Sequence, residues 1–185
     1  MIEIRKYQEK DNDAVRQICM ETAKAGYQSK EVVCWMFLDY YLESESKHAY
    51  VLVDENAVVG YIVASTNSKL YEKQMKEKWI PKIWKYSIFL GIFSKLCLRA
   101  AMPLDKAYGG GFHMNITPKY QKLGLGKRLL DVMTRHLSLC GNSYLYLITE
   151  NKKTRGYGFY KHYGFKEVKK YLTGSLALVY NLKMK

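Results

Sequence analysis

No two cysteines in this chain stand in a Cys-x-x-Cys spacing: Cys19, Cys34, Cys97 and Cys140 are scattered. That argues against a zinc site or a dithiol redox motif, and no metal ligand set is expected. Reduced, partly buried thiols in a cytoplasmic protein are the expectation. Proline is scarce, with 3 residues, and no low-complexity tract or repeat stands out, which disfavours disordered and solenoid readings. No apolar run is long enough to span a bilayer. The most apolar one, residues 86–102, is interrupted by Lys95 and Arg99. The N-terminal Met1-Ile-Glu-Ile-Arg-Lys-Tyr7 lacks the apolar core of a signal peptide and alternates as a strand does. Acidic residues are also short, 17 against 30 Lys and Arg, giving a net charge of +13. Such a balance favours anionic partners: nucleic acid, a phosphorylated cofactor or an acidic acceptor. The excess is spread along the chain rather than gathered into a nucleic-acid tail, and a lysine-rich surface serving solubility also accounts for it.

What is present is a turn. Gln121-Lys122-Leu123-Gly124-Leu125-Gly126 follows an apolar stretch, His113 to Ile116, that reads as a strand, and opens an amphipathic segment, Lys127 to Cys140, that reads as a helix. Two glycines at a helix start expose backbone N–H groups and the positive end of the helix dipole, an arrangement that binds phosphate. A Cβ at Gly124 or Gly126 would keep an anion from the backbone. The third glycine of a dinucleotide fingerprint and the Gly-Lys-Ser/Thr of a Walker loop are missing. Taken alone, the hexapeptide is equally a plain strand-to-helix turn.

A second segment, Gly158-Phe159-Tyr160-Lys161-His162-Tyr163-Gly164-Phe165, lies one helix and one strand further on. Q-x-x-G-x-G followed about forty residues later by F-Y-x-x-x-G-F resembles the GNAT acyltransferases, which move an acetyl group from acetyl-CoA to an amine. The resemblance is strongest from about Ala107 to Phe165 and weak before residue 50. It implies a single domain over residues 1–185. The fold class would be α/β: a mixed, mostly antiparallel central sheet with helices on both faces and a helical insertion, about 69–104, before the fourth strand. Two neighbouring parallel strands of that fold part, and coenzyme A enters the gap.

Periodicity agrees with this order. Residues 2–7 read as a strand; Asp11 as the cap of a helix to about Ala25, ended by Gly26; Ser29 as the cap of a second helix. Trp35 and Phe37 read as core, although the family often builds an acceptor pocket here. Ala49 to Val53 and Ala57 to Ser65 read as a hairpin about Asp54-Glu55-Asn56. Lys69 to Ala101 reads as helical, broken near Pro81, with Trp79, Ile80, Ile83, Trp84, Ile88, Phe89, Ile92 and Phe93 as a packed stripe. Contact with a membrane surface or a lid over the acceptor are the alternatives. Ala107 to Ile116 reads as a strand whose three leading glycines permit a bulge or a close backbone approach. In the helix after the glycine turn, Leu129, Leu130, Met133, Leu137 and Cys140 share the core face, with Thr134 opposite. Ser143 to Thr149 reads as a central strand, Thr154 to Tyr163 as a helix, and Phe165 to Leu172 with Ser175 to Lys183 as a closing hairpin.

The resemblance also assigns roles. Backbone N–H groups near Met114, Asn115 and Ile116 would steady the thioester oxygen, and Gln121, Lys122, Leu123, Gly124, Leu125, Gly126 and Lys127 would hold the pyrophosphate. Tyr160 would protonate the leaving thiolate; a packed Tyr is the alternative. The family's Asn seven residues before that Tyr is here Lys153, with Asn151 nine before as the substitute contact, and Gly156 stands in place of the usual Ala. For the base, His113 would titrate near neutrality, or be a hydrogen-bonded sheet residue. Glu150 is the second candidate. His48, His136 and His162 read as surface residues. The implied partners are acetyl-CoA as co-substrate and a small-molecule or peptidyl amine acceptor, with no specific nucleic acid, no membrane span, and a homodimer left open. A noncatalytic acyl-CoA-binding or partner-binding module of the same fold is the alternative function.

Overall fold

The computed structural model describes residues 2–23 and 30–184. Strand β1 (Ile2–Lys6) leads to α1 (Asn12–Thr22), α2 (Lys30–Phe37) and α3 (Asp39–Ser44), then to the hairpin β2 (Ala49–Asp54) and β3 (Ala57–Ala64). The insertion follows as α4 (Ser68–Gln74), a π turn (Met75–Trp79), α5 (Ile80–Tyr86) and α6 (Ile88–Tyr108). Then come β4 (Phe112–Ile116), α7 (Leu125–Leu139), β5 (Tyr144–Thr149), α8 (Arg155–Tyr163), β6 (Lys166–Lys170) and β7 (Leu176–Asn181).

The strands form two antiparallel sheets, β1-β2-β3-β4 and β5-β7-β6. Between them runs a single parallel bridge, Gly111 to Tyr146. Alternation along the strands sends successive side chains to opposite faces. Val51, Val53, Tyr61 and Val63 join α1, α2 and Trp79 in one core, whereas Leu52, Ile62 and Ala64 join the apolar side of α7 in another. The helices therefore cover both faces, as expected. β6 is exposed at every position, and its lysines guard an open sheet edge.

The glycine run before β4 has a steric reason. An added Cβ at Gly110 would lie 1.9 Å from the carbonyl oxygen of Ser65, so only glycine lets these two backbones cross. The Ser65 N–H also bonds the Gly111 carbonyl at 2.9 Å.

Several expectations change. Asp11 stands at the N-cap position of α1, but its side chain does not bond the helix. Its carboxylate is buried, grips both Arg5 guanidinium nitrogens at 2.6 and 2.8 Å, and accepts the Gln8 N–H at 2.9 Å. That arrangement closes a 3-10 turn before the helix. The second helix is two helices, interrupted at Leu38. Helix α1 ends at Thr22, with Ala23 extended, short of the expected Ala25; Gly26 and the Ser29 cap lie outside the described residues. The insertion breaks at Ser87, which is extended and caps α6 with its hydroxyl, and not at Pro81, which opens α5. Helix α6 runs on to Tyr108, so Ala107 and Tyr108 are helical and β4 starts later than expected. The apolar stripe is only half packed: Trp79, Ile80 and Ile83 are buried, but Ile88 is 66% and Phe89 77% exposed. On α7 Thr134 is buried and Cys140 exposed, the reverse of the expected faces. Among the described residues no helix is long and apolar enough to cross a membrane.

Candidate active site

Beyond the Gly111–Tyr146 bridge, β4 and β5 no longer pair. In the β3–β4 ladder, Gly111 and Thr117 direct their backbone bonds to β3. Antiparallel alternation then turns the N–H groups of Phe112, Met114 and Ile116 toward β5. Two of the three proposed oxyanion donors, Met114 and Ile116, thus face the gap. The Asn115 amide does not; it faces β3.

The glycine turn leaves the end of β4 through a 3-10 turn at Pro118–Tyr120. Gln121 fastens it, donating its side-chain amide to the Ile116 carbonyl at 2.8 Å. Lys122 and Gly124 both take left-handed conformations, φ 65° and 74°. Such alternation points successive N–H groups into one concavity, an anion nest. Gly124 is the N-cap of α7, and an added Cβ there would meet nothing within 4 Å. The following amides at Leu125 and Gly126 open the first turn and lack intrahelical acceptors. Gly126 also has a packing reason to be glycine: a Cβ would press on the Phe159 ring at 3.2 Å, so it sets how closely α7 and α8 approach. Leu125 is buried beneath the turn, while Lys122, Leu123 and Lys127 are exposed. The Lys127 ammonium is 2.7 Å from Asp131, one helical turn on.

Tyr160 lies on α8, which starts at Thr154, whose hydroxyl accepts the Tyr157 N–H. The Tyr160 ring is held by Phe112, Phe159 and Phe165 at centroid distances of 5.8, 5.1 and 5.4 Å. Its hydroxyl has no hydrogen-bond partner among the described residues, and burial pushes its pKa up, so it stays protonated. Asn151 shapes the approach to α8: its side-chain oxygen accepts the Lys153 N–H at 2.9 Å. Glu150 is exposed at the bend after β5.

His113 does not titrate near neutrality. Burial pulls its pKa down to about 4. On its face of β4 it stacks on Phe37, with centroids 5.9 Å apart. The Asn115 side-chain amide donates to the Tyr61 hydroxyl at 3.0 Å, and that hydroxyl lies 3.0 Å from His113 Nδ1. The Tyr61 hydroxyl therefore ties the Asn115 side chain to the His113 ring and holds that ring in place. Tyr61 and Phe37 join the candidate site: in the sequence Tyr61 looks like a buried strand aromatic, and Phe37 reads as core with an acceptor-pocket wall as the alternative. The signal for Tyr61 lies in the register, which sets it opposite Asn115.

The Acetyltransferase (GNAT) family model matches residues 12–165. The chain belongs to the GNAT acetyltransferase family. Among solved structures, the protein SsHAT superposes with a TM-score of 0.86 at 24% identity, covering 98% of each chain. A polyamine N-acetyltransferase of Drosophila melanogaster, which forms N-acetylagmatine, gives a TM-score of 0.67 at 13% identity, over 98% of this chain and 100% of that one. The apo form of an agmatine N-acetyltransferase gives 0.66 at 13%, over 97% and 99%. At these identities the likeness is one of fold.

Proposed function

We propose that the chain is a single-domain N-acetyltransferase that uses acetyl-CoA and an amine acceptor, either a small molecule or a peptidyl amine. The observation that carries this reading is the parting of β4 and β5 with a left-handed glycine turn fastened to the end of β4. A pyrophosphate fits that turn, because the space a Cβ would fill at Gly124 is open. Acetyl-CoA, when bound, supplies an acyl group on a good leaving thiol. The amides of Lys122 to Gly126 hold its phosphates, and the unpaired edge of β4 takes its amide-bearing arm. The Met114 and Ile116 N–H groups face the negative charge that grows on the thioester oxygen. Tyr160 keeps its proton for the departing sulfur.

The acceptor amine enters on the face of His113, Asn115 and Phe37. A lysine-like amine has a pKa of about 10.4 and must lose a proton before attack. His113 is a poor store for that proton, since burial holds its own pKa at about 4. The His113 ring and Asn115 instead orient the acceptor or a water that relays the proton outward, toward Glu150 or solvent.

The test is thiol release from acetyl-CoA across a panel of primary amines, monoamines, diamines and N-terminal peptides. Turnover with at least one class supports the enzyme. Binding of acetyl-CoA without turnover on any class would leave only the binding module.

A further inference from the structure

His48 was expected at the surface, yet it is 3% exposed. It ends the 3-10 turn Ser46–His48 just before β2. Its Nδ1 lies 2.8 Å from Nε2 of His136, in the last turn of α7. The Cys140 sulfur, one turn further along the same helix, is 3.8 Å from that same nitrogen. All three ligand atoms fall within 4.8 Å of one another. Spacing of i and i+4 puts His136 and Cys140 on one side of the helix. The sequence hides the set because its third member lies 88 positions upstream of His136.

A second layer of contacts fixes the ring of His48. The Glu45 carboxylate accepts the Thr66 N–H at 2.8 Å and the Thr66 hydroxyl at 3.0 Å, and its other oxygen accepts the Tyr40 hydroxyl at 2.6 Å. Thr66, with its own proton given to Glu45, accepts from His48 Nε2 at 3.1 Å. The His48 proton is therefore on Nε2, and the Nδ1 lone pair points at His136. Outer partners of this kind are what orient imidazole ligands in metal sites. The groups facing the cluster are Lys6, Lys47, Glu45, the Tyr50 ring and the Cys140 thiol.

We propose that His48, His136 and Cys140 form a binding site for one borderline-soft divalent transition-metal cation, of which Zn2+ is the type. Two imidazoles and a thiolate suit that class, and the absence of oxygen donors excludes Mg2+ and Ca2+. Three protein ligands leave a fourth position to water. On binding, the Cys140 S–H bond gives way to a sulfur–metal bond and its proton passes to the buffer. His136 shifts its ring proton to Nδ1 to free Nε2. Negative charge on the sulfur offsets the repulsion from Lys6 and Lys47, and the carbonyl end of α7 also favours a cation. The glycine turn opens α7 and this cluster closes it, so the metal ties the helix to the foot of β2 and takes no part in acyl transfer.

The test uses full-length protein, stripped with chelator, desalted, and titrated with CoCl2. One Co2+ per chain is expected, with tetrahedral d–d bands and a thiolate-to-cobalt charge-transfer band. Cys140→Ser should remove the charge-transfer band, and His136→Ala should weaken binding at least about tenfold. Both positions are solvent-accessible, and far-ultraviolet circular dichroism checks that each variant folds. ZnCl2 should displace cobalt and raise the Tm of the parent protein but not of the double variant. Absence of cobalt binding by the folded parent, or a charge-transfer band that survives Cys140→Ser, overturns the proposal.

Discussion

The Tyr61 hydroxyl sits 3.0 Å from Nδ1 of His113 and takes its own hydrogen bond from Asn115. This pairing holds the ring of a buried imidazole whose pKa has already fallen to about 4. A histidine in that state orients; it does not collect protons at neutral pH.

The pH profile follows from this. For a lysine-like acceptor, kcat/KM should keep rising with pH toward the amine's own pKa of about 10.4, with no inflection between pH 6 and 7. His113→Asn should lower the whole curve without changing its shape. An inflection near 6.5 in the parent protein that disappears in His113→Asn would restore His113 as the base.

The Tyr160 ring packs against Phe112, Phe159 and Phe165, and its hydroxyl is unpartnered among the described residues. Tyr160→Phe should therefore leave Tm and acetyl-CoA affinity near those of the parent while lowering kcat on the order of 100-fold, the scale of general acid catalysis. Unchanged kcat at every pH would remove the acid role.

Two glycines should answer oppositely to alanine. Gly110→Ala drives a methyl to 1.9 Å from the Ser65 carbonyl, inside a packed crossing, and should cost about 3 kcal/mol or more. At Gly158, within α8, the added methyl meets nothing within 4 Å, and Gly158→Ala should gain about 0.5–1 kcal/mol from helix propensity. Denaturant melts measure both.

Asp105 is buried against the Tyr146 hydroxyl at 2.6 Å, its other oxygen has no partner among the described residues, and burial raises its pKa to about 6. An acid whose folded pKa is raised binds protons better in the native state, so its contribution falls as pH climbs from the unfolded value through the folded one. Between pH 5 and 8 the native protein should lose roughly 1 kcal/mol through this group. Asp105→Asn lacks that loss, so its stability relative to the parent should improve by that amount over the same range. A constant difference between the two proteins would contradict the assignment.

The order of elements and the glycine turn were readable in the chain because each rests on local signals: alternation in β2 and β3, the amphipathic period of α7, two glycines at a helix start. Readings failed where a distant partner decides the outcome. Asp11 looks like a helix cap, yet Arg5 across the turn claims its carboxylate. At Gly126 the sequence offers the anion reading but hides the packing reason, the Phe159 ring on the next helix. Tyr61 and His48 look ordinary because their partners, at 113 and 136, come into reach only through strand register and helix packing. The stripe on α6 has helical spacing, but periodicity does not tell a packed face from a bare one, and Phe89 is bare.

Calorimetric titration of the folded protein with acetyl-CoA tests the central claim most directly, with Gly124→Asp as its counterpart. One molecule bound per chain by the parent and none by the variant is the expected pair of results, because a carboxylate at Gly124 would stand in the pyrophosphate's place. No heat with the parent, or equal affinity in both proteins, would contradict the account.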